Sequence, residues 1–325
     1  MKLVTLNAYP SGRTGVLIDN EILDFGLASA FVPLAAWVPE SMIVLLAGGA
    51  AGLDIIRRVI DDVRGRSADE QGAMRVARAL QPYDDRVLLA PVPVPRMLLS
   101  HGRAYHSHSA GMRESYDPTE ERDPSAFLKN ANSIVGPGAA ILVPPQCPDM
   151  IDLEVEFSVV FGADCHNIEE ADALRYVAGY TLINDVSARD WVKHFRETGN
   201  PDLNRMGKQL PTFTPLGPVI TTKDDIPDPN DVRIGSSING RVMQDAHTSD
   251  LIHRVEWLIA YFAQWYKFRA GDILTTGSPG GNGFARKPPV FIKAGDTITV
   301  SAEGVGDLTN PVVAQASRTT AKISN

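Results

Sequence analysis

Glu154 and Glu156 stand two apart in the run Asp152-Leu153-Glu154-Val155-Glu156-Phe157, and Asp185 follows Asn184 at the end of a second, mostly apolar run, Ala178 to Ile183. Alternate side chains of a β-strand point to opposite faces, so the two glutamates share one face while Leu153, Val155 and Phe157 share the other. Carboxylates that close repel unless a cation, a proton or open water separates them. A lone Glu-x-Glu is ordinarily a half-exposed strand with two solvated acids. Here the residues after the pair, Ser158 to Phe161, are also mostly apolar, so all three acids are attached to strands that read as buried. Buried charge needs a partner. Three carboxylates form an all-oxygen donor set, which favours Mg²⁺ or Mn²⁺, with Ca²⁺ a further candidate, over zinc and leaves positions for substrate and water.

Other residues bear on chemistry. The segment His101-Gly102-Arg103-Ala104-Tyr105-His106-Ser107-His108 holds three of the seven histidines and follows an apolar run, Met97 to Leu99. It reads as a loop at a strand end, where a neutral histidine can serve as general base near neutral pH. Three imidazoles also suit zinc, although no helical His-x-x-x-His spacing supports that alternative. Gly277-Ser278-Pro279-Gly280-Gly281-Asn282-Gly283 offers backbone N–H groups to an oxyanion, or is a plain turn. Lys208 lacks the glycine and hydroxyl pattern of a nucleotide-binding loop and reads as a cation beside a strand entrance, able to hold a substrate carboxylate, or as ordinary surface.

The elements that must position these groups fall in two parts. Residues 1–90 open with strand-like pieces, Lys2 to Leu6 and Val16 to Ile18, followed by an amphipathic stretch from Leu53 to Arg64 with Ile55, Ile56, Val59, Ile60 and Val63 at helical spacing. This predicts a small α+β domain. The alternating prolines at 91, 93 and 95 force extended backbone outside any sheet centre, and the boundary is placed just before them. Residues 91–325 are rich in short β-like runs, including Val155 to Gly162, Gly217 to Thr222, Val232 to Ile238 and Thr297 to Ala302, giving an α+β, mostly β chain. Two helices are expected there, about Glu169 to Val177 and about Ser249 to Tyr266, the latter capped by Ser249 or Asp250.

Composition bounds the function. A net charge of −8 and the lack of any Lys/Arg run argue against a nucleic-acid partner. Cys147 and Cys165 are too few for a disulfide framework and too far apart for a Cys-x-x-Cys site, so a reducing cytoplasm is the expected compartment. No signal-peptide core is present at the start, and no stretch approaches the roughly 20 apolar residues of a membrane span.

Taken in order, the chain resembles the fumarylacetoacetate hydrolase family. The resemblance rests on Gly102 to His108, Phe127-Leu128-Lys129, Ser133 to Gly138, Asp152 to Gly162, Gly179 to Asp190, Gly207 to Pro218, Asn239-Gly240, Thr276 to Gly283, and Gly295-Asp296 through Gly304-Val305-Gly306 to Asn310. It implies a mixed β-roll catalytic domain, a homodimer, and Mg²⁺ or Mn²⁺ on the acids matching Glu154, Glu156 and Asp185. By the same resemblance His108 activates water or moves a proton, Lys208 touches substrate or enolate, Ser278 contacts a substrate carboxylate, and Arg103 and Tyr105 line the pocket. The chain departs from the family pattern at Ala104-Tyr105, at Gly111, where relatives carry a glutamate that Glu114 could replace, and at Val192, where relatives carry a glutamine. The lost amide points to a less polar substrate portion.

The expected activity is metal-dependent hydrolysis of a C–C bond in a 1,3-dicarbonyl, acylpyruvate-like acid from aromatic catabolism. The same metal–enolate site would also serve a decarboxylase, hydratase or isomerase of a 2-oxo acid. An inactive binding module on the same fold is the reading from another class.

Overall fold

The computed structural model describes residues 1–9, 11–112, 123–200 and 202–316, and only the backbone at 111, 112, 192, 195 and 196. Its main sheet runs in the order Leu80–Pro82, Glu21–Asp24, Arg13–Ile18, Lys2–Leu6, Thr214–Thr222, Val177–Asn184, Val155–Phe161, Ile273–Thr275, Leu98–Gly102, Ser125–Leu128. Most neighbours are antiparallel, while Ile273–Thr275 and Leu98–Gly102 run parallel, so the sheet is mixed. A five-stranded sheet, Arg241–His247, Arg233–Ile238, Thr297–Ala302, Gly306–Ala314 and Ile141–Val143, packs across it. The central strands Val155–Phe161, Val177–Asn184 and Thr214–Thr222 are buried at every position, which accounts for their near-continuous apolar sequence. The fold is mixed α+β and rich in strand.

The N-terminal strands belong to this same sheet: Lys2 pairs with Thr221 and Leu3 with Ile220. One apolar core joins Ile56, Val59 and Val63 of the helix Gly49–Gly65 to Val160, Ile183, Leu216 and Ile273 of the central strands. The helical spacing of the stretch from Leu53 is therefore the face that packs on the sheet. Cys147 and Cys165 are both free and buried. No helix among the described residues is long and apolar enough to cross a membrane.

Two helices differ from the sequence expectation. The segment Glu170–Tyr176 is a 3₁₀ helix. The helix expected from Ser249 begins only at Val255 and ends at Ala263, with Arg254 preceding it. The cause is tertiary: Leu251 forms a β-bridge with Tyr105, the Ile252 N–H donates to the Ala104 carbonyl at 2.9 Å, and the Asp250 carboxylate accepts from the Ser107 N–H at 3.0 Å. Backbone and side-chain groups that would have opened the helix instead hold the histidine-rich segment, which is no plain loop: His101 lies in the strand Leu98–Gly102 and His106–Met112 is a short helix.

Candidate metal centre and active site

Pairing of two strands builds the acidic cluster. Val155 lies opposite Asn184, and just beyond that register the Asp185 N–H donates to the Glu154 carbonyl at 2.8 Å while the Asn184 amide oxygen accepts from the Glu154 N–H at 3.1 Å. This clamp sets Asp185 beside the two glutamates. One carboxylate oxygen from each of Glu154, Glu156 and Asp185 lies within 4.8 Å of the others, and all three residues are buried. Among the described residues no other group of three His, Cys, Asp or Glu comes together in this way, so His101, His106 and His108 form no such cluster.

Buried Lys129 and Arg189 and half-buried Lys208 face the acids. Lys208 Nζ donates to Glu154 Oε2 at 2.5 Å and to Asp185 Oδ2, while Lys129 Nζ donates to Asp185 Oδ1 and to the Lys208 carbonyl at 2.8 Å. Arg189 grips Asp152 Oδ2 through Nε at 2.9 Å and Nη2 at 2.8 Å, and the same Nη2 reaches Glu154 Oε1 at 2.5 Å. The Asn282 amide donates to that Glu154 oxygen at 2.8 Å. Asp152, Glu154 and Asp185 thus pair with Lys129, Arg189 and Lys208, while Glu156, the fourth carboxylate, has no ion-pair partner among the described residues.

The balance falls unevenly. Burial works to raise the Glu154 carboxyl, but the charges of Arg189 and Lys208 overcome it and hold that group well below the usual carboxylate range. Glu156 lacks such a close cation; burial, followed by the charge of Asp185 and then of Glu154, pushes it up to about 8. Burial opposes the Lys208 ammonium, yet Asp185 and Glu154 raise it, so it remains charged. A buried acid set between other carboxylates, with no cation of its own, resists ionising, and a positive ion placed there would relieve it. The all-oxygen donor set and this charge deficit fit a hard divalent ion.

The loop from Gly277 closes one side. The N–H of Gly283 donates to Asp152 Oδ1 at 2.8 Å and that of Phe284 to Asp152 Oδ2 at 3.3 Å, so the glycine-rich loop does cradle an oxyanion, one that the protein itself supplies. A Cβ on Gly283 would stand 1.8 Å from the Val290 carbonyl oxygen and 2.8 Å from Asp152 Oδ1, and one on Gly280 would stand 2.8 Å from the Ser107 carbonyl oxygen. Glycine is required there by the closeness of approach.

His108, half-buried, lies beside this loop: its ring hydrogen-bonds the Pro279 backbone and feels the charges of Glu154, Arg189 and Lys208. Burial lowers its pKa, and Glu154 only partly opposes that, so the ring is neutral near pH 7. Proline has no N–H, so the Pro279 group is the carbonyl, the His108 nitrogen facing it carries the proton, and the other nitrogen keeps its lone pair. Ser278 is buried on the same loop, where its hydroxyl accepts from Gln244.

The structure therefore brings Glu154, Glu156, Asp185, Lys208, His108 and the Ser278 loop together. Tyr105 is wholly buried; Thr276 gives its proton to the Phe157 carbonyl at 2.9 Å, leaving the Tyr105 hydroxyl to donate to Thr276 at 3.3 Å. Arg103 is exposed at a turn with φ +58°. His101 is buried with its ring edge-on to Phe262, and burial pushes its pKa down to about 3, so it is an uncharged core group. Glu114 and the side chain of Val192 lie outside the described residues.

Sequence reasoning passed over Lys129, Asp152, Arg189, Gln244 and Asn282 as site residues. Asp152 and Arg189 stand within the very segments that carry the three acids, and a count of uncompensated carboxylates would have asked for Arg189.

Comparison with known proteins agrees with this geometry. The family model "Fumarylacetoacetate (FAA) hydrolase C-terminal" matches residues 98–313. The human mitochondrial oxaloacetate tautomerase FAHD2B is 37% identical over 276 residues, which cover 85% of this chain and 81% of that protein. Among solved structures, 5-carboxymethyl-2-hydroxymuconate delta-isomerase from Mycobacterium smegmatis is 35% identical with a TM-score of 0.59, covering 70% of this chain and 82% of that one. Maleylpyruvate hydrolase from Sphingobium sp. SYK-6, solved with manganese(II) and pyruvate, is 26% identical with a TM-score of 0.68, covering 97% of this chain and 100% of that one. With its family model matched over more than half its length and its acidic centre assembled, the chain belongs to the fumarylacetoacetate hydrolase family.

Proposed function

We propose that this enzyme interconverts the keto and enol forms of oxaloacetate or a closely similar 2-oxo acid, with Mg²⁺ or Mn²⁺ held by Glu154, Glu156 and Asp185. The observation that carries the reading is the buried carboxylate trio facing Lys208, with His108 near enough to feel the charge of Glu154. The identity to oxaloacetate tautomerases supports tautomerisation among the reactions such a site can run. A divalent ion there supplies a Lewis acid for the adjacent ketone and carboxylate oxygens of a 2-oxo acid.

In this reading His108 removes the proton from the carbon next to the ketone, and the proton returns at the ketone oxygen; one C–H bond breaks and one O–H bond forms. Lys208, kept charged by Asp185 and Glu154, stabilises the negative charge that develops on that oxygen. Asn282 and Arg189 fix the orientation of Glu154. The Ser278 hydroxyl is the proposed contact for a substrate carboxylate and exposed Arg103 the proposed outer contact of the pocket, whereas Tyr105, expected to line it, is wholly buried and held to Thr276 in the core.

A second reading, C–C hydrolysis of an acylpyruvate, draws support from the likeness to maleylpyruvate hydrolase. There the same nitrogen of His108 would deprotonate water. Both are tested with Mn²⁺-loaded protein by following the decay of enol-oxaloacetate absorbance and, in parallel, pyruvate release from acylpyruvates. Accelerated enol decay without pyruvate release is expected, and His108→Ala should lower kcat by about 10²–10⁴ while His106→Ala changes it less than about tenfold. Pyruvate release alone would favour the hydrolase, and neither activity would overturn both readings.

A further inference from the structure

Gln244, on the strand Arg241–His247, is 1% exposed and spends its whole side-chain amide. Its Oε1 accepts from the Val155 N–H at 3.0 Å and the Ser236 hydroxyl at 2.8 Å, and its Nε2 donates to Ser278 Oγ at 2.9 Å and to the Pro279 carbonyl at 3.0 Å. The Val155 N–H can only donate and the Pro279 carbonyl can only accept, so the amide's orientation is fixed: a flip would set N–H against N–H and oxygen against oxygen. Val155 lies between Glu154 and Glu156. One side chain thus ties the strand that carries two of the acids to the loop that carries Ser278.

The direction of these bonds has a chemical effect. Because Nε2 can only donate, Ser278 Oγ is an acceptor toward Gln244, and its own proton must point elsewhere. The Pro279 carbonyl oxygen, 3.5 Å away, is at the limit of hydrogen bonding and already accepts from Gln244. We propose that Gln244 is a positioning residue which fixes the Ser278 hydroxyl as a donor to an acceptor oxygen of the bound 2-oxo acid. The inference rests on the 2-oxo acid reading above. A glutamate at 244 would reverse the polarity, since a carboxylate only accepts and would take the Ser278 proton for itself.

The test is a double-mutant cycle read by calorimetry. Oxalate, a planar dianion that presents the paired oxygens of an enolised 2-oxo acid, is titrated into Mn²⁺-loaded wild type, Gln244→Glu, Ser278→Ala and the double variant. Each single change should weaken oxalate about tenfold, the loss of one hydrogen bond to a charged group, and the double variant should be no weaker than either single one by more than about twofold. Mn²⁺ affinity should stay within about threefold of wild type, and with oxaloacetate Gln244→Glu should raise KM with little change in kcat.

If the added charge or lost packing at 244 were the cause, its effect would persist in the Ser278→Ala background; additive losses therefore overturn the proposal, as does unchanged oxalate affinity in Gln244→Glu. Gln244→Met, neutral and of similar volume, replaces Gln244→Glu if that variant does not fold, and its loss must also vanish without the Ser278 hydroxyl. Wild type that fails to bind oxalate overturns the proposal outright. Coupled binding losses in a protein that does not turn over oxaloacetate would refute the reaction proposed above and leave the role of Gln244 standing.

Discussion

Replacing Arg189 by methionine removes the guanidinium that two buried carboxylates share. Asp152 loses the bonds at 2.8 and 2.9 Å, and Glu154 loses the one at 2.5 Å. Among the described residues Asp152 keeps only backbone donors, the N–H groups of Leu153, Gly283 and Phe284, and Glu154 keeps Asn282 and Lys208. Three hydrogen bonds to charged groups would sum to about 4.5–9 kcal/mol. The partners that remain lower this to about 3–5 kcal/mol, the usual result of stripping one member from a buried ion pair. In a chain of this length that amounts to a fall of about 4–7 °C in Tm. Much of the loss is the uncompensated charge of Asp152, so Asp152→Asn in the Arg189→Met background should recover at least about 1 kcal/mol, a clear departure from additivity. With Glu154 released on one side, Mn²⁺ affinity should drop about 10–100-fold. Thermal unfolding of the four proteins, with chelator and with Mn²⁺, measures all of this. A loss below about 1 kcal/mol for Arg189→Met, or strict additivity in the double variant, would refute the claim that Arg189 balances this pair.

Two further outcomes follow from the same geometry. Glu154→Gln, Glu156→Gln and Asp185→Asn should each weaken Mn²⁺ binding in calorimetric titration by at least about tenfold, since each removes an anionic oxygen at nearly constant volume; unchanged affinity in all three would remove the trio as ligands. Gly283→Ala should destabilise the fold by about 2 kcal/mol or more, because its Cβ would meet backbone oxygen of Val290 at 1.8 Å, and a Tm within 1–2 °C of wild type (~1 kcal/mol or less) would show that the loop yields freely.

The acidic trio was legible in the sequence because alternation along one strand and an acid just past the end of another are local signals. What escaped was whatever depends on segments distant in the chain. Arg189 reaches Asp152, Asn282 reaches Glu154 and Gln244 reaches Val155, and no spacing rule links these residues. Lys129 read as part of a resemblance and nothing more, since its carboxylate partner lies at the end of a different strand. The late start of the helix at Val255 has the same origin, for local periodicity ran through Leu251 and Ile252 while their pairing with the loop at Ala104 and Tyr105 prevailed. The helical face Ile56, Val59, Ile60 and Val63 was read correctly because a single amphipathic helix carries its own period.

The pairing of Lys2–Leu6 with Thr214–Thr222 also bears on how the chain reaches its native state. A strand made near the beginning of synthesis has to wait for most of the polypeptide before its inner neighbour exists, so the ladder closes late and its edge stays open meanwhile. The partner strand is buried along its whole length, and in a truncated protein lacking residues 1–90 it would present unpaired N–H and C=O groups on an apolar edge, a template for other chains. Excising the segment matched by the family model is therefore expected to yield aggregation rather than a smaller enzyme, and the N-terminal strands act in effect as a built-in chaperone for the sheet that carries the catalytic acids.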